Sequence, residues 1–186
     1  MKKNIAVFSS GKGGNFENIC NYFHNDKSVF VCLHVTNRID CISKKIADKR
    51  EINNVLVTKK ELEKSSFCKV LIENNIQLIV LAGFLLKIPS NLVNSYERKI
   101  INLHPSLLPK FGGKGMYGDN VHLKVLESGE KKTGVTIHYV NEEYDSGDII
   151  FQREIELSER ETLETLREKI RLIEYYNYPR IIKSLL

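Results

Sequence analysis

The 186-residue chain has no apolar stretch able to cross a bilayer. Its longest uncharged apolar run, LIVLAGFLL at residues 78–86, falls well short of the roughly 20 residues a spanning helix needs. No CxxC pair occurs among Cys20, Cys32, Cys41 and Cys68, and no histidine cluster lies near them. They read as reduced, buried, small hydrophobes of a cytosolic protein, so a cytoplasmic location is expected. No set of His, Cys, Asp and Glu has metal-ligand spacing, which argues against a bound metal. A polybasic block is also missing: 28 basic and 23 acidic residues are interspersed, leaving a net charge of +5. That balance permits anionic ligands, but points to neither nucleic acid nor a membrane surface as a partner. Repeats, low-complexity tracts and linkers are absent, and one domain over residues 1–186 is expected. The N-terminus, MKKNIAVFSSGKGG, lacks a small-residue cleavage site and reads as a first strand rather than a signal peptide.

What is present alternates. Residues 4–8 and 29–35 read as strands, 16–23 and 41–49 as helices, and 55–57 as a short strand. Residues 60–74 have the apolar spacing of one helix. The continuous apolar run 77–82, ending at Gly83, fits a strand covered on both faces. Strand–helix alternation of this kind predicts an α/β protein with an open, mostly parallel twisted sheet flanked by helices, Rossmann-like in its N-terminal half. The second half changes character. Residues 133–140 and 148–157 read as antiparallel strands, and 161–185 as a long C-terminal helix, with Ser158 and Glu161 spaced as a capping box. Ligands in such sheets bind at the carboxyl ends of the strands. The segments 9–15, 83–87 and 102–109 all follow strands and should converge there.

Three motifs carry chemistry. In INLHPSLLPKFGG, residues 101–113, Asn102 and His104 stand two apart on an extended segment, so both side chains reach one volume. Pro105 and Pro109 stiffen the loop beyond them. In GVTIHYVNEEYDSGDII, residues 134–150, Asp145 sits in a glycine-containing turn between apolar strands. An amide, an imidazole and a carboxylate are the parts needed to hold an oxyanion, move a proton and tune the imidazole. His138, on a strand, either lines this site or packs beneath it. His24 and His34 show no partners in the sequence, and His122 falls in a helix-like segment. The third motif, SSGKGGN at residues 9–15, opens a helix after a strand and has the glycines that let backbone N–H groups approach an anion. Phe16 stands where a dinucleotide fingerprint needs glycine, and no Gly-Lys-Ser/Thr of a P-loop is present. A tight strand-to-helix turn is the plainer reading of that loop. Tyr175, Tyr176 and Tyr178 read first as helix packing and second as a ligand face.

SGKGGN, LAGFLLKIP, INLHPSLLPKFGG, the Asp145 turn and IEYYNYP occur in this order over nearly the whole chain. Together they resemble the phosphoribosylglycinamide formyltransferases of purine biosynthesis, within the 10-formyltetrahydrofolate transferase superfamily. Methionyl-tRNA formyltransferases resemble this core but carry a further C-terminal domain. The resemblance implies Asn102, His104 and Asp145 as the catalytic trio. In the chemistry it implies, Asn102 and a protonated His104 both donate to the oxyanion formed from the formyl group. It implies Gly13, Gly14 and Asn15 as the loop holding the phosphate of glycinamide ribonucleotide, and Glu174 as a carboxylate contacting that substrate. It assigns Leu85, Leu86, Lys87 and Ile88, with Asn102 and with Asn141, Glu142, Glu143, Tyr144 and Asp145, to the pterin of the co-substrate 10-formyltetrahydrofolate. The segment between Val57 and Gln77 is shortened, and Lys64 is taken as the basic residue for the folate tail. Lys12 and Gly14 depart from the family's SGxGSN, so phosphate contacts should differ in detail. The resemblance also implies a cis Leu108–Pro109 bond, no metal, small-molecule substrates only, and a monomer or homodimer. The same crevice chemistry would serve a formyltransferase acting on another amine, such as an amino-sugar nucleotide. A non-catalytic folate- or nucleotide-binding module would predict loss of one of the trio, and all three are present.

Overall fold

The computed structural model describes residues 2–186. Seven strands form one sheet: β1 (Lys3–Phe8), β2 (Val29–Thr36), β3 (Asn53–Leu56), β4 (Ile76–Leu81), β5 (Ile100–His104), β6 (Lys132–Tyr139) and β7 (Ile149–Glu156). Their order across the sheet is β3-β2-β1-β4-β5-β6-β7. The first five run parallel, and β6 and β7 are antiparallel to their neighbours. The expected Rossmann-like half with an antiparallel extension is what forms.

Alternation along the strands builds two cores. Ile5 and Val7 of β1 join Leu78 and Val80 of β4 on one face. Ala6 and Phe8 join Ile79 and Leu81 on the other. The first face is covered by α1 (Gly14–Phe23) and α7 (Leu163–Ser184), and the second by α4 (Ser65–Glu73) and α5 (Ser90–Ser95). With helices on both sides, the strands must be apolar throughout, which explains the run at residues 77–82. β2 breaks the alternation. Val29 and Val31 face the first core, Leu33 and Val35 the second, because a register shift at Cys32 turns the strand over.

Two expected elements differ. Residues 60–74 form not one helix but α3 (Lys59–Leu62) and α4, separated by extended backbone at Lys64. Leu62 and Phe67 both enter the second core. Five residues on a continuous helix turn through about 500°, which would place these two on different sides; the break lets both bury. Thr58 and Glu61 cap α3 reciprocally. At the C-terminus, Ser158 and Glu161 do pair, at 3.1 Å from the Ser158 amide to the Glu161 carboxylate, but they close a turn before the helix. The cap of α7 is Thr162 with Thr165. Between the strands lie also α2 (Ile42–Lys49) and α6 (Asp119–Glu127). No helix among the described residues is long and apolar enough to cross a membrane.

Candidate active site

The carboxyl ends of β1, β4 and β5 meet at one rim. The loop after β1 is bonded to the loop after β4: the Ser10 amide donates to Gly83 O at 3.1 Å, and the Leu85 amide donates to Ser10 Oγ at 3.0 Å. Ser10 Oγ in turn donates to Asn37 Oδ1 at 2.5 Å, tying in the end of β2. Gly13, at φ +74°, makes the turn into α1. A Cβ there would lie 2.8 Å from Ser43 Cα, so only glycine allows this close seating on α2. The first N–H groups of α1 are thereby left to face outward without intrahelical acceptors. Beside this loop is an open cleft of about 550 Å³ lined by Ser10, Lys12, Arg38 and Cys41.

Asn102 and His104 lie on β5, as the i, i+2 spacing predicts. The antiparallel pairing sets His138 of β6 directly opposite Asn102. Asp145, in the left-handed conformation at φ +52°, swings into the same volume. Asn102 Nδ2 is 3.2 Å from His138 Nε2 and 3.4 Å from Asp145 Oδ1. His104 Nδ1 is 3.6 Å from Asp145 Oδ2, and His138 Nε2 is 3.6 Å from Asp145 Oδ1. The Gly113 amide donates to Asp145 Oδ2 at 2.9 Å. Four side chains therefore meet here, not three. His138, left open on sequence alone, is the fourth; the signal that finds it is the β5–β6 register.

Protonation is set by these partners. His104 Nε2 meets the carbonyl of Phe111 at 2.8 Å, and since a carbonyl only accepts, Nε2 carries a hydrogen. Nδ1, facing Asp145, is the nitrogen free to gain or lose a proton. His104 is 3% exposed, and burial lowers its pKa below the ordinary histidine value despite the opposing pull of Asp145 and the Phe111 carbonyl. The shift favours the neutral imidazole in the resting site; the protonated His104 read from sequence belongs to the reacting complex. Burial works to raise the pKa of Asp145, but His138, His104 and the Gly113 amide outweigh it, so its carboxyl sits below the usual range and is ionised.

The loop carrying His104 is held by Thr136 of β6. Thr136 Oγ1 donates to Ser106 O at 2.6 Å and accepts from the Leu108 amide at 3.0 Å. Gln152 donates to both Leu108 O, at 2.9 Å, and Thr136 Oγ1, at 3.0 Å. The Leu108–Pro109 bond is cis, as expected.

On the other side of the rim, Asn15 Nδ2 donates to Glu174 Oε2 at 2.9 Å, uniting two residues 159 apart in the chain. Among the described residues, Asn15 Oδ1 is buried without a hydrogen-bond partner. Burial lifts Glu174 to about 7, with the Asn15 bond acting in the opposite direction. Leu85 and Tyr144, 40% and 42% exposed, offer apolar surface on the two segments expected to wrap a pterin. Lys87 lies over the Tyr144 ring, 5.5 Å from its centroid, and brings those segments together. Leu86 is half-buried and Ile88 buried, so these two support the loop from beneath. Asn141, Glu142 and Glu143 are exposed, with Asn141 Oδ1 accepting from the Glu143 amide and Ser146 Oγ, both at 3.0 Å. Lys64 is exposed at the N-cap of α4, and its side chain joins no ion pair among the described residues.

Outside the site, His34, expected to lack partners, is instead buried between Ser9 Oγ at 2.8 Å and Asn54 Oδ1 at 3.0 Å. His122 lies on α6, as its helix-like segment predicted. Tyr178 is fully buried packing, consistent with the first reading of the tyrosines.

An amide, an imidazole and a carboxylate thus meet at the mouth of a mostly parallel sheet, beside a glycine loop at a helix N-terminus, an arrangement with the parts group transfer requires. The chain belongs to the formyl transferase family, whose model matches residues 3–182. It is 38% identical to the chloroplastic phosphoribosylglycinamide formyltransferase of Arabidopsis thaliana, over 99% of this chain and 65% of that protein. It is equally 38% identical to the phosphoribosylglycinamide formyltransferase of Bacillus subtilis, over 100% of this chain and 95% of that one. The chain thus spans just under two thirds of the plant relative's length and nearly all of the bacterial one. Among solved structures, glycinamide ribonucleotide transformylase 1 of Geobacillus kaustophilus superposes with a TM-score of 0.90 at 32% identity, covering 100% of both chains.

Proposed function

We propose that this chain transfers the formyl group of 10-formyltetrahydrofolate to the primary amine of glycinamide ribonucleotide, in the cytoplasm, as one domain acting without metal. The observation that carries the reading is the pairing of two half-sites on one rim: the Asn102–His104–His138–Asp145 cluster and the Asn15–Glu174 pair beside the glycine loop. The names of the bacterial relative and of the solved neighbours support the choice of substrate.

The residues suit this chemistry. A bond forms between the amine nitrogen and the formyl carbon, and the bond from that carbon to folate N10 breaks. The formyl oxygen carries negative charge in between. Asn102 Nδ2 can be redirected to that oxygen, because its bonds in the free protein, 3.2 and 3.4 Å, lie at or beyond the ordinary limit. Neutral His104 takes the proton the amine loses, at Nδ1. The Asp145 carboxylate beside it stabilises the imidazolium, which returns the proton to N10 as that nitrogen leaves. Once charged, His104 is also a charge-assisted donor near the developing oxyanion. Asn15 and Glu174 orient the nucleotide, and the loop amides at Gly13, Gly14 and Asn15 meet its phosphate.

The test is formyl transfer from 10-formyltetrahydrofolate with glycinamide ribonucleotide and, separately, with an amino-sugar nucleotide. Turnover of the first alone is expected. Turnover of the second alone would replace the proposed acceptor, and turnover of neither would remove the activity.

A further inference from the structure

Gly14 opens α1 with no side chain, and what occupies the vacated space is Tyr175 of α7. A Cβ on Gly14 would collide with the Tyr175 hydroxyl oxygen, whereas the ring carbon bearing that oxygen, Cζ, would stay at 3.5 Å. The phenol is therefore set against the first residue of α1, beside the helix end whose N–H groups have no intrahelical acceptors. The part of α7 that carries it is held to α1 by two bonds. Asn18 Nδ2 donates to the Tyr175 carbonyl at 2.9 Å, and Asn15 holds the neighbouring Glu174. The Arg171 guanidinium lies over the ring, 5.7 Å from its centroid. Burial raises the phenol above the ordinary tyrosine value, so it remains a hydroxyl donor throughout the neutral range.

We infer that the Tyr175 hydroxyl is a substrate-binding group of this chain: it donates to the phosphate held at the α1 N-terminus, taking the place of the side-chain hydroxyl that position 14 lacks. The inference rests on the glycinamide ribonucleotide reading above and adds to it a contact from α7. Geometry makes the two positions reciprocal. A side chain at 14 and an oxygen on 175 exclude each other, while a side chain at 14 and a phenyl ring at 175 fit together.

The experiment is a cycle of four proteins: wild type, Tyr175→Phe, Gly14→Ser and the double variant. For each, inorganic phosphate is measured as a competitive inhibitor against glycinamide ribonucleotide, together with kcat and both KM values. Tyr175→Phe should weaken phosphate inhibition and raise the nucleotide KM roughly tenfold, the scale of a hydrogen bond to a charged group. Its kcat and folate KM should stay within about twofold of wild type, since the contact is equally present before and during reaction. Gly14→Ser alone should lose phosphate affinity through the collision. The double variant should recover most of the affinity lost in Tyr175→Phe, because the serine introduced at position 14 then supplies the hydroxyl. Unchanged phosphate inhibition in Tyr175→Phe overturns the inference whether or not the serine variants fold. So does a folded double variant no better than Tyr175→Phe. A wild type that turns over no glycinamide ribonucleotide would instead sink the substrate reading itself, and this contact with it.

Discussion

In the proposed reaction, the protonation of His104 is governed by two opposed electrical effects. Burial pushes the imidazole toward its neutral form and the carboxylate pulls it back. A neutral His104 is a base, so activity should fall as pH drops through its pKa. Asp145→Asn removes the upward pull, and His104 then protonates only at a lower pH. The expected outcome is a greatly reduced rate whose acidic limb lies at lower pH than in wild type, read from kcat/KM between pH 5 and 8. An unshifted limb with reduced amplitude would mean that Asp145 only shapes its turn. Glu174 gives a second residue-level test, on stability. Its folded pKa, raised to about 7, exceeds the ordinary glutamate value. The unfolded chain therefore releases this proton first, and stability is lost as pH rises from the unfolded pKa through 7. Glu174→Gln carries no such proton and should lose less stability than wild type between pH 5 and 8 in urea titrations. Parallel pH profiles for the two proteins would contradict this.

At the level of elements, the loop after β5 is held by its neighbours β6 and β7. Thr136 Oγ1 serves Ser106 O, the Leu108 amide and Gln152 at once. Thr136→Val keeps the strand-compatible shape and removes the oxygen, leaving a buried Leu108 N–H unpaired. A loss of about 1–3 kcal/mol is expected, measured by urea unfolding. A fall in kcat should accompany it, since this loop leads directly out of His104. This hub was not legible in the sequence, where Thr136 is one β-branched residue among several. His138 was half legible for the same reason: its place opposite Asn102 comes from antiparallel pairing across 36 residues, which periodicity along one strand does not report. The Asn102–His104 spacing was fully legible because it depends only on the two-residue repeat of β5 itself. The single-helix reading of residues 60–74 failed because apolar spacing was satisfied on paper, while burial of both Leu62 and Phe67 required the break at Lys64.

For the molecule as a whole, α7 closes the site by packing on α1 and the sheet. It brings Glu174 and Tyr175 to the glycine loop and seals the sheet with Tyr178. The Tyr178 hydroxyl donates to Leu81 O at 2.8 Å and approaches Ile101 O at 3.4 Å, bridging β4 and β5 just below the rim. Tyr178→Phe should cost about 1 kcal/mol in urea unfolding by removing this hydrogen bond, with kcat little changed. A large loss of kcat at unchanged stability would give this tyrosine a part in the reaction. The sheet order and both cores arise from apolar runs that any reading of the strands could find. The meeting of Asn15 with Glu174 does not, because it joins the first and last helices of the chain.

The central claim is that His104 moves the proton of formyl transfer. The direct measurement is the single-turnover rate of His104→Ala with glycinamide ribonucleotide and 10-formyltetrahydrofolate both saturating. A rate lower by about a hundredfold or more is predicted, in line with roughly 3 kcal/mol of transition-state stabilisation, with both substrates still bound. A rate within about threefold of wild type, less than about 1 kcal/mol, would contradict it.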